Sequence, residues 1–154
     1  MSEYNVIFRQ LLILSIILVF LPVNSSHAGK KKRLWKQYYL SGVAALKAKN
    51  YRQAEQDLQK AIGLADKKFK KKEERAQTYY YFARLKKETK DYRAASEYLQ
   101  VTLKIRKKNL GESHPKTLLT MDSLANMRIG AGAPQYAEPL LDKLMQTRMR
   151  QLGN

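Results

Sequence analysis

One unit of sequence occurs three times along the chain at a nearly constant spacing. Asn50-Tyr51-Arg52-Gln53-Ala54-Glu55 stands 41 residues before Asp91-Tyr92-Arg93-Ala94-Ala95-Ser96, and Ala137-Glu138 follows Ala95-Ser96 by 42 residues. A repeat period of about 20–50 residues indicates supersecondary units that stack, because one such unit cannot bury its apolar face alone. The spacing therefore restricts the chain to an architecture of similar, adjacent units.

Each copy has the pattern of two consecutive helices. The second helix starts at an alanine, and residues four and seven positions later share its face. A small residue stands 12 positions before that alanine, where it lets two helices approach closely. The alanine sets are Ala54, Leu58, Ala61; Ala95, Leu99, Thr102; and Ala137, Leu141, Leu144, and the small residues are Gly42, Ala83 and Ala125. We predict six helices, at about 34–49, 51–66, 72–89, 91–108, 114–130 and 135–151.

This arrangement resembles the tetratricopeptide repeat over roughly Leu34 to Leu152. The third copy resembles the kinesin light chain subtype, through Leu110-Gly111-Glu112-Ser113-His114-Pro115, then Thr120-Met121-Asp122-Ser123-Leu124-Ala125 and Ala137-Glu138-Pro139-Leu140. The resemblance implies an all-α fold, a right-handed superhelical stack of three antiparallel helix pairs. The repeats would be about 34–68, 72–110 and 114–152 of one α-solenoid domain, residues 34–152.

The sequence departs from the repeat pattern at a few positions. Lys86 and Arg128 stand where the first helix usually carries a large apolar residue, and Pro134 replaces the turn tyrosine of the third copy. Asp122-Ser123 occupies the place of the asparagine pair that is typical of the kinesin light chain subtype. Ser113 is the expected cap of the fifth helix, with Pro115 in its first turn.

The family resemblance implies binding of a peptide or protein in a concave groove. Tyr38 and Tyr79 align with the core aromatic of the repeat, so they are expected to pack inside. The expected partner contacts on the concave face are Tyr39, Val43, Tyr80, Arg84, Lys87, Asp122 and Asn126. An ordinary solvated face is the alternative for these residues, although aromatic and arginine side chains are the usual anchors of interfaces.

The chain offers little that could carry catalysis. It has no cysteine and only His27 and His114 as histidines, so thiolate chemistry is excluded and a zinc site is unexpected. No phosphate-binding glycine loop or H-E-x-x-H motif is present. We expect a non-enzymatic protein without cofactor or metal, in which His114 has a structural role at a helix start.

Positive charge is concentrated in the first two copies. Residues 29–108 contain 24 basic and 8 acidic residues, whereas residues 109–154 contain 5 and 4. Cations near helix C-termini are favoured by the helix dipole, but their number here favours an anionic partner. An acidic protein or peptide is the first candidate partner. The alternative function is a cationic binder of an anionic envelope polymer, a lipid surface or nucleic acid.

The N-terminus is typical of a secretory signal peptide. Leu11 to Val23 is a 13-residue apolar run, shorter than the about 20 residues that span a membrane. Ser26-x-Ala28 supplies the small residues of a cleavage site. We expect a signal peptide at 1–28, a basic linker at 29–33 and export to a bacterial periplasm or the medium; the alternative is a membrane anchor through residues 6–23.

No polar capping helix follows Gly153 in the sequence. The outer face of the last helix, with Met145, Met149 and Leu152, is therefore expected to be exposed or covered by self-association.

Cleavage after Ala28 predicts a mature chain that begins at Gly29, because the small residues at 26 and 28 match the signal-peptide pattern. N-terminal sequencing of the protein from its native host checks this. Recovery of the intact Met1 terminus in the membrane fraction would instead support the anchor.

Overall fold

The computed structural model describes residues 27–68 and 72–153, and it confirms the all-α solenoid. No β-strand occurs among these residues, and none of their helices has the length and apolar character needed to cross a membrane. Within the described ranges, six α-helices follow one another, with a short 3-10 turn at Pro134–Tyr136. They are α1 (His27–Lys47), α2 (Tyr51–Lys68), α3 (Glu73–Glu88), α4 (Tyr92–Leu110), α5 (Pro115–Gly130) and α6 (Glu138–Leu152).

The start of α1 differs from the prediction. The helix begins at His27 rather than at residue 34, so the predicted basic linker 29–33 is helical. Lysine and arginine are good helix formers, and no proline interrupts this stretch. The compact repeat unit starts at Lys31, within α1. The signal segment predicted at 1–28 and the anchor predicted at 6–23 lie outside the described residues, except for residues 27 and 28.

The first helix of every repeat ends in the same way. Lys49, Lys90 and Gly132 adopt positive φ angles of 57°, 63° and 75° at equivalent positions. The next amide reaches back five residues, as in the 2.8 Å bond from the Asp91 N–H to the Lys86 carbonyl. This is the Schellman arrangement, which satisfies the last carbonyl groups of a helix. The same turn in all three copies shows that the third copy follows the repeat despite its weaker sequence match.

The second helices start differently in the third copy. Asn50 and Asp91 each accept a hydrogen bond from a backbone N–H three residues later, at 3.2 and 3.1 Å. Ala133 stands at the equivalent position and has no side-chain acceptor. The chain instead forms the 3-10 turn at Pro134–Tyr136, and α6 starts at Glu138 rather than at residue 135.

The small residues predicted between the paired helices are buried. A Cβ atom on Gly42 would lie 2.7 Å from Leu58 Cγ and 3.1 Å from the Leu58 backbone nitrogen. Only glycine fits there without movement, so α1 and α2 touch at this point. Ala83 and Ala125, the equivalent residues, are about 1% exposed or less.

Helix α3 joins two apolar cores. Phe82 and Leu85 pack with residues of α1 and α2, including Leu58, whereas Ala83 packs with Leu99 of α4 and with residues of α5. One helix therefore contributes two of its faces to two neighbouring layers, as the stacking of repeats requires.

The outer face of α6 is open to solvent, as predicted. Met145, Met149 and Leu152 are 57%, 64% and 88% exposed. Their coverage by a second molecule stays a prediction.

Replacing Lys90 with glycine should stabilise the fold by about 0.5–1 kcal/mol, because a left-handed backbone conformation is strained for lysine and not for glycine. Gly132 already occupies this position in the third repeat. The urea unfolding midpoint is the measurement.

A glycine at Lys104, an exposed position within α4, is the matched control. There the same substitution should destabilise by about 1 kcal/mol, because helix interiors disfavour glycine. If both variants are destabilised, the left-handed turn at Lys90 is not the strained conformation described here.

Candidate functional site

A groove lies between the first helices of the second and third repeats. Its volume is about 330 Å³. Helix α3 forms one wall and α5 the other, and Leu99 of α4 contributes to the lining between them. Five of the seven predicted contact residues line this central groove: Tyr80, Arg84, Lys87, Asp122 and Asn126.

The Tyr80 ring is held from two sides. The guanidinium carbon of Arg106 lies 5.0 Å from the ring centroid, and the Tyr81 ring packs edge-on at 5.9 Å. Contact between a guanidinium and an aromatic ring is attractive, more so when it is shielded from water. Tyr80 is half-buried as a result, with its ring preset at the groove wall.

Arg106 itself is almost fully buried, at 4% exposure. It forms an ion pair with Glu73 of α3 at 3.0 Å and donates hydrogen bonds to the Thr120 hydroxyl at 2.9 Å and the Lys116 carbonyl at 3.3 Å, both in α5. A buried guanidinium needs such partners, because removing it from water without them is costly. One side chain of α4 thus connects both walls of the central groove.

The basic residues of the groove are available for a partner. The Arg84 guanidinium carbon lies 5.2 Å from the Tyr81 ring centroid, and its side chain is exposed. In the part of the chain that the structure describes, neither Arg84 nor Lys87 has a carboxylate within 4.0 Å. Glu88 and Asp122 also line the groove, so its formal charge is balanced. The excess positive charge of the chain therefore lies outside the groove.

Val43 lines a second, smaller cavity rather than the central groove. This cavity has a volume of about 200 Å³ and lies between α1 and α3. Arg84 and Glu88 line both cavities, so the two share a boundary. Tyr81 and Leu46 supply apolar lining here. The predicted contacts Val43 and Asn126 thus belong to neighbouring sites, with Arg84 between them.

The orientation predicted for Tyr39 is wrong. The side chain is 7% exposed and lies in the first apolar core rather than on an open concave face. Its ring stacks on Trp35 at 5.4 Å and meets the edge of Tyr81 at 5.6 Å. Burial and the neighbouring Tyr81 raise the pKa of Tyr39 well above its ordinary value. Trp35 precedes Tyr39 by four residues, and this helical spacing could have indicated that the two share a buried face.

Tyr38 and Tyr79 were both predicted to pack inside, but only Tyr79 is fully buried. Tyr79 is buried, as expected, and its hydroxyl donates to the Asp66 carboxylate at 2.9 Å. Tyr38 is only half-buried, with the Lys60 ammonium 5.1 Å from its ring centroid.

Sequence reasoning missed several groove residues. Glu88 follows Arg84 by one helical turn, and Ser123 precedes Asn126 by three residues, so helical spacing could have identified both. No local signal identifies Leu99, which reaches the groove from α4 and becomes a lining residue only through the packing of three helices.

His114 has a structural role at the start of α5. Its Nδ1 atom accepts a hydrogen bond from the Lys116 backbone N–H at 3.1 Å. The cap of this helix is therefore His114, not Ser113 as predicted. Among the described residues, no group of three or more His, Cys, Asp or Glu side chains is placed to hold a metal ion.

Comparison with known proteins agrees with the fold over the first two repeats. The family model described as tetratricopeptide repeat matches residues 35–108. This segment starts within α1 and ends near the end of α4, and it includes the Tyr80–Arg84 wall of the central groove. No curated protein shows significant similarity to the chain. The kinesin light chain likeness of the third copy remains a resemblance. From the matched segment and the stacked helix pairs, we conclude that residues 35–108 of this chain are similar to the tetratricopeptide repeat.

Proposed function

We propose that the chain is a non-enzymatic interaction module that holds an extended segment of a partner protein in the central groove. Tetratricopeptide repeats are generally protein–protein interaction modules. The observation that carries the proposal is the preset Tyr80 ring beside two basic side chains without carboxylate partners. Rigid aromatic and arginine side chains are the usual energetic centres of protein interfaces.

The two walls suit different parts of a bound segment. Asn126 of α5 has an amide that both donates and accepts, so it matches the N–H and C=O groups of a peptide backbone. Asp122 accepts hydrogen bonds only, so it suits a backbone N–H or a basic side chain. Half-buried Tyr80 offers apolar area at a small cost in side-chain entropy. Peptide recognition of this kind needs no reacting group.

The α3 wall favours a carboxylate on the partner. Arg84 and Lys87 are exposed and lie one turn apart on the same helix, so both point toward the same groove. A guanidinium binds a carboxylate through two parallel hydrogen bonds, and Tyr81 lies beside the Arg84 guanidinium. We therefore propose an acidic residue in the partner segment, placed next to the residue that contacts Tyr80.

The test starts with the partner recovered by the full-length chain from its native host, followed by affinity measurements with the binding segment of that partner. Tyr80→Ala should weaken binding by at least about 1 kcal/mol, roughly fivefold in Kd, with unchanged salt dependence, because an apolar anchor is lost. Arg84→Ala should weaken binding and flatten its salt dependence, because a charge contact is lost. Fluorescence anisotropy at several salt concentrations measures both.

Lys104→Ala is the matched control for charge, since Lys104 is exposed on α4 away from the central groove. It should leave the affinity within about twofold, apart from a small change in association rate. Groove binding is refuted if Tyr80→Ala and Arg84→Ala both keep wild-type affinity while Lys104→Ala weakens binding.

A further inference from the structure

Two basic stretches that are distant in sequence meet at one end of the repeat stack. Near the start of α1, the Trp35 indole N–H donates to the Thr78 hydroxyl in α3 at 3.0 Å. At the end of α2, Asp66 binds Arg75 of α3 at 2.6 Å. The start of α1, the end of α2 and the start of α3 therefore lie side by side. Residues 31–36, Lys67 and Lys72, which flank these contacts, are brought to the same end.

Both stretches are basic and contain no acidic residue. We call the described side chains among them the end cluster: Lys31, Lys32, Arg33, Lys36, Lys67 and Lys72. All six are exposed. The sequence adds Lys68, Lys70 and Lys71 between the last two.

Two carboxylates near this end, Asp66 and Glu73, bind side chains outside the end cluster. Asp66 is bound by Arg75 and the Tyr79 hydroxyl, and Glu73 is bound by Arg106 and Lys116. Over residues 27–68 and 72–153, no end-cluster side chain has a carboxylate within 4.0 Å. Like charges at one end of the stack repel one another, so an external anion that neutralises them is favoured.

We propose that the end cluster is a docking surface for an anionic lipid bilayer. The surface is distinct from the central groove, which lies between α3 and α5 and is balanced in charge. Juxtaposed lysines and arginines suit a surface of many phosphate groups, each additional cation strengthening the attraction.

One further observation favours a lipid surface over a soluble polyanion. Leu34 is exposed and stands between Arg33 and Lys36 of α1, and Leu40, which is also exposed, follows Lys36 by one helical turn. An apolar side chain among basic residues is typical of helices at a bilayer interface.

The test uses the full-length chain with vesicles of phosphatidylcholine alone or with added phosphatidylglycerol, at about 0.15 M salt. An amine-reactive, membrane-impermeant reagent labels lysines, and mass spectrometry gives the labelling rate at each one. Lys31, Lys67 and Lys72 should label at least about threefold more slowly on the anionic vesicles, relative to Lys49 and Lys90 at the opposite end. Raising the salt to about 0.5 M should remove this protection.

A variant with Lys32→Gln, Arg33→Gln and Lys36→Gln should lose most of the protection of Lys31, Lys67 and Lys72. The matched control removes three exposed cations from the opposite end, through Arg52→Gln, Lys90→Gln and Arg93→Gln, and should keep it. Circular dichroism melting of both variants establishes that they are folded.

The lipid proposal is overturned by equal labelling on the two kinds of vesicle, by equal protection of both ends, or by loss of protection in both variants. Protection by soluble polyphosphate at matched phosphate concentration, without protection by anionic vesicles, would overturn it in favour of a polyanion. Groove binding to a protein partner would be unaffected by any of these results.

Discussion

The buried guanidinium of Arg106 is the interaction on which the candidate site depends. It belongs to α4, yet its partners are Glu73 in α3 and Thr120 and the Lys116 carbonyl in α5. Repeat proteins gain stability from contacts between neighbouring units, and here one polar residue supplies such a contact across the apolar layers. The same guanidinium lies against the Tyr80 ring. Arg106 therefore positions both the walls of the groove and the Tyr80 ring on one of them.

The two surfaces of the chain have different physical characters. The central groove is enclosed by two helices, is balanced in charge and carries a fixed aromatic ring, which are properties of selective recognition. The end cluster is exposed and uniformly positive, so its attraction acts at longer range and is reduced by salt. Because the two lie on different parts of the stack, a protein segment and an anionic surface could be bound at the same time. In the two proposals, the groove selects the protein partner and the end cluster places the protein at an anionic surface.

Periodicity in the sequence predicted the helices and much of the groove, because residues 41 or 42 positions apart occupy equivalent places in a repeat. This rule places Tyr80 and Asp122 at equivalent positions of the second and third repeats. It does the same for Arg84 and Asn126. It failed for Tyr39, where the chain-specific Trp35 draws the ring into the core. It also could not reveal the role of Arg106, since a lysine- and arginine-rich helix end has no local signal for which cation is buried. The juxtaposition of residues 31–36 with Lys67 and Lys72 likewise depends on tertiary packing rather than on either stretch alone.

Hydrogen exchange of the full-length chain carrying Arg106→Met tests most directly whether Arg106 joins the second and third repeats. Methionine keeps much of the side-chain volume but removes the guanidinium that binds Glu73 and Thr120. We expect faster exchange of backbone amides in α5 and α6, by at least about tenfold, with little change in α1 and α2. An unchanged exchange pattern, or an equal acceleration in all six helices, would contradict the central role of Arg106.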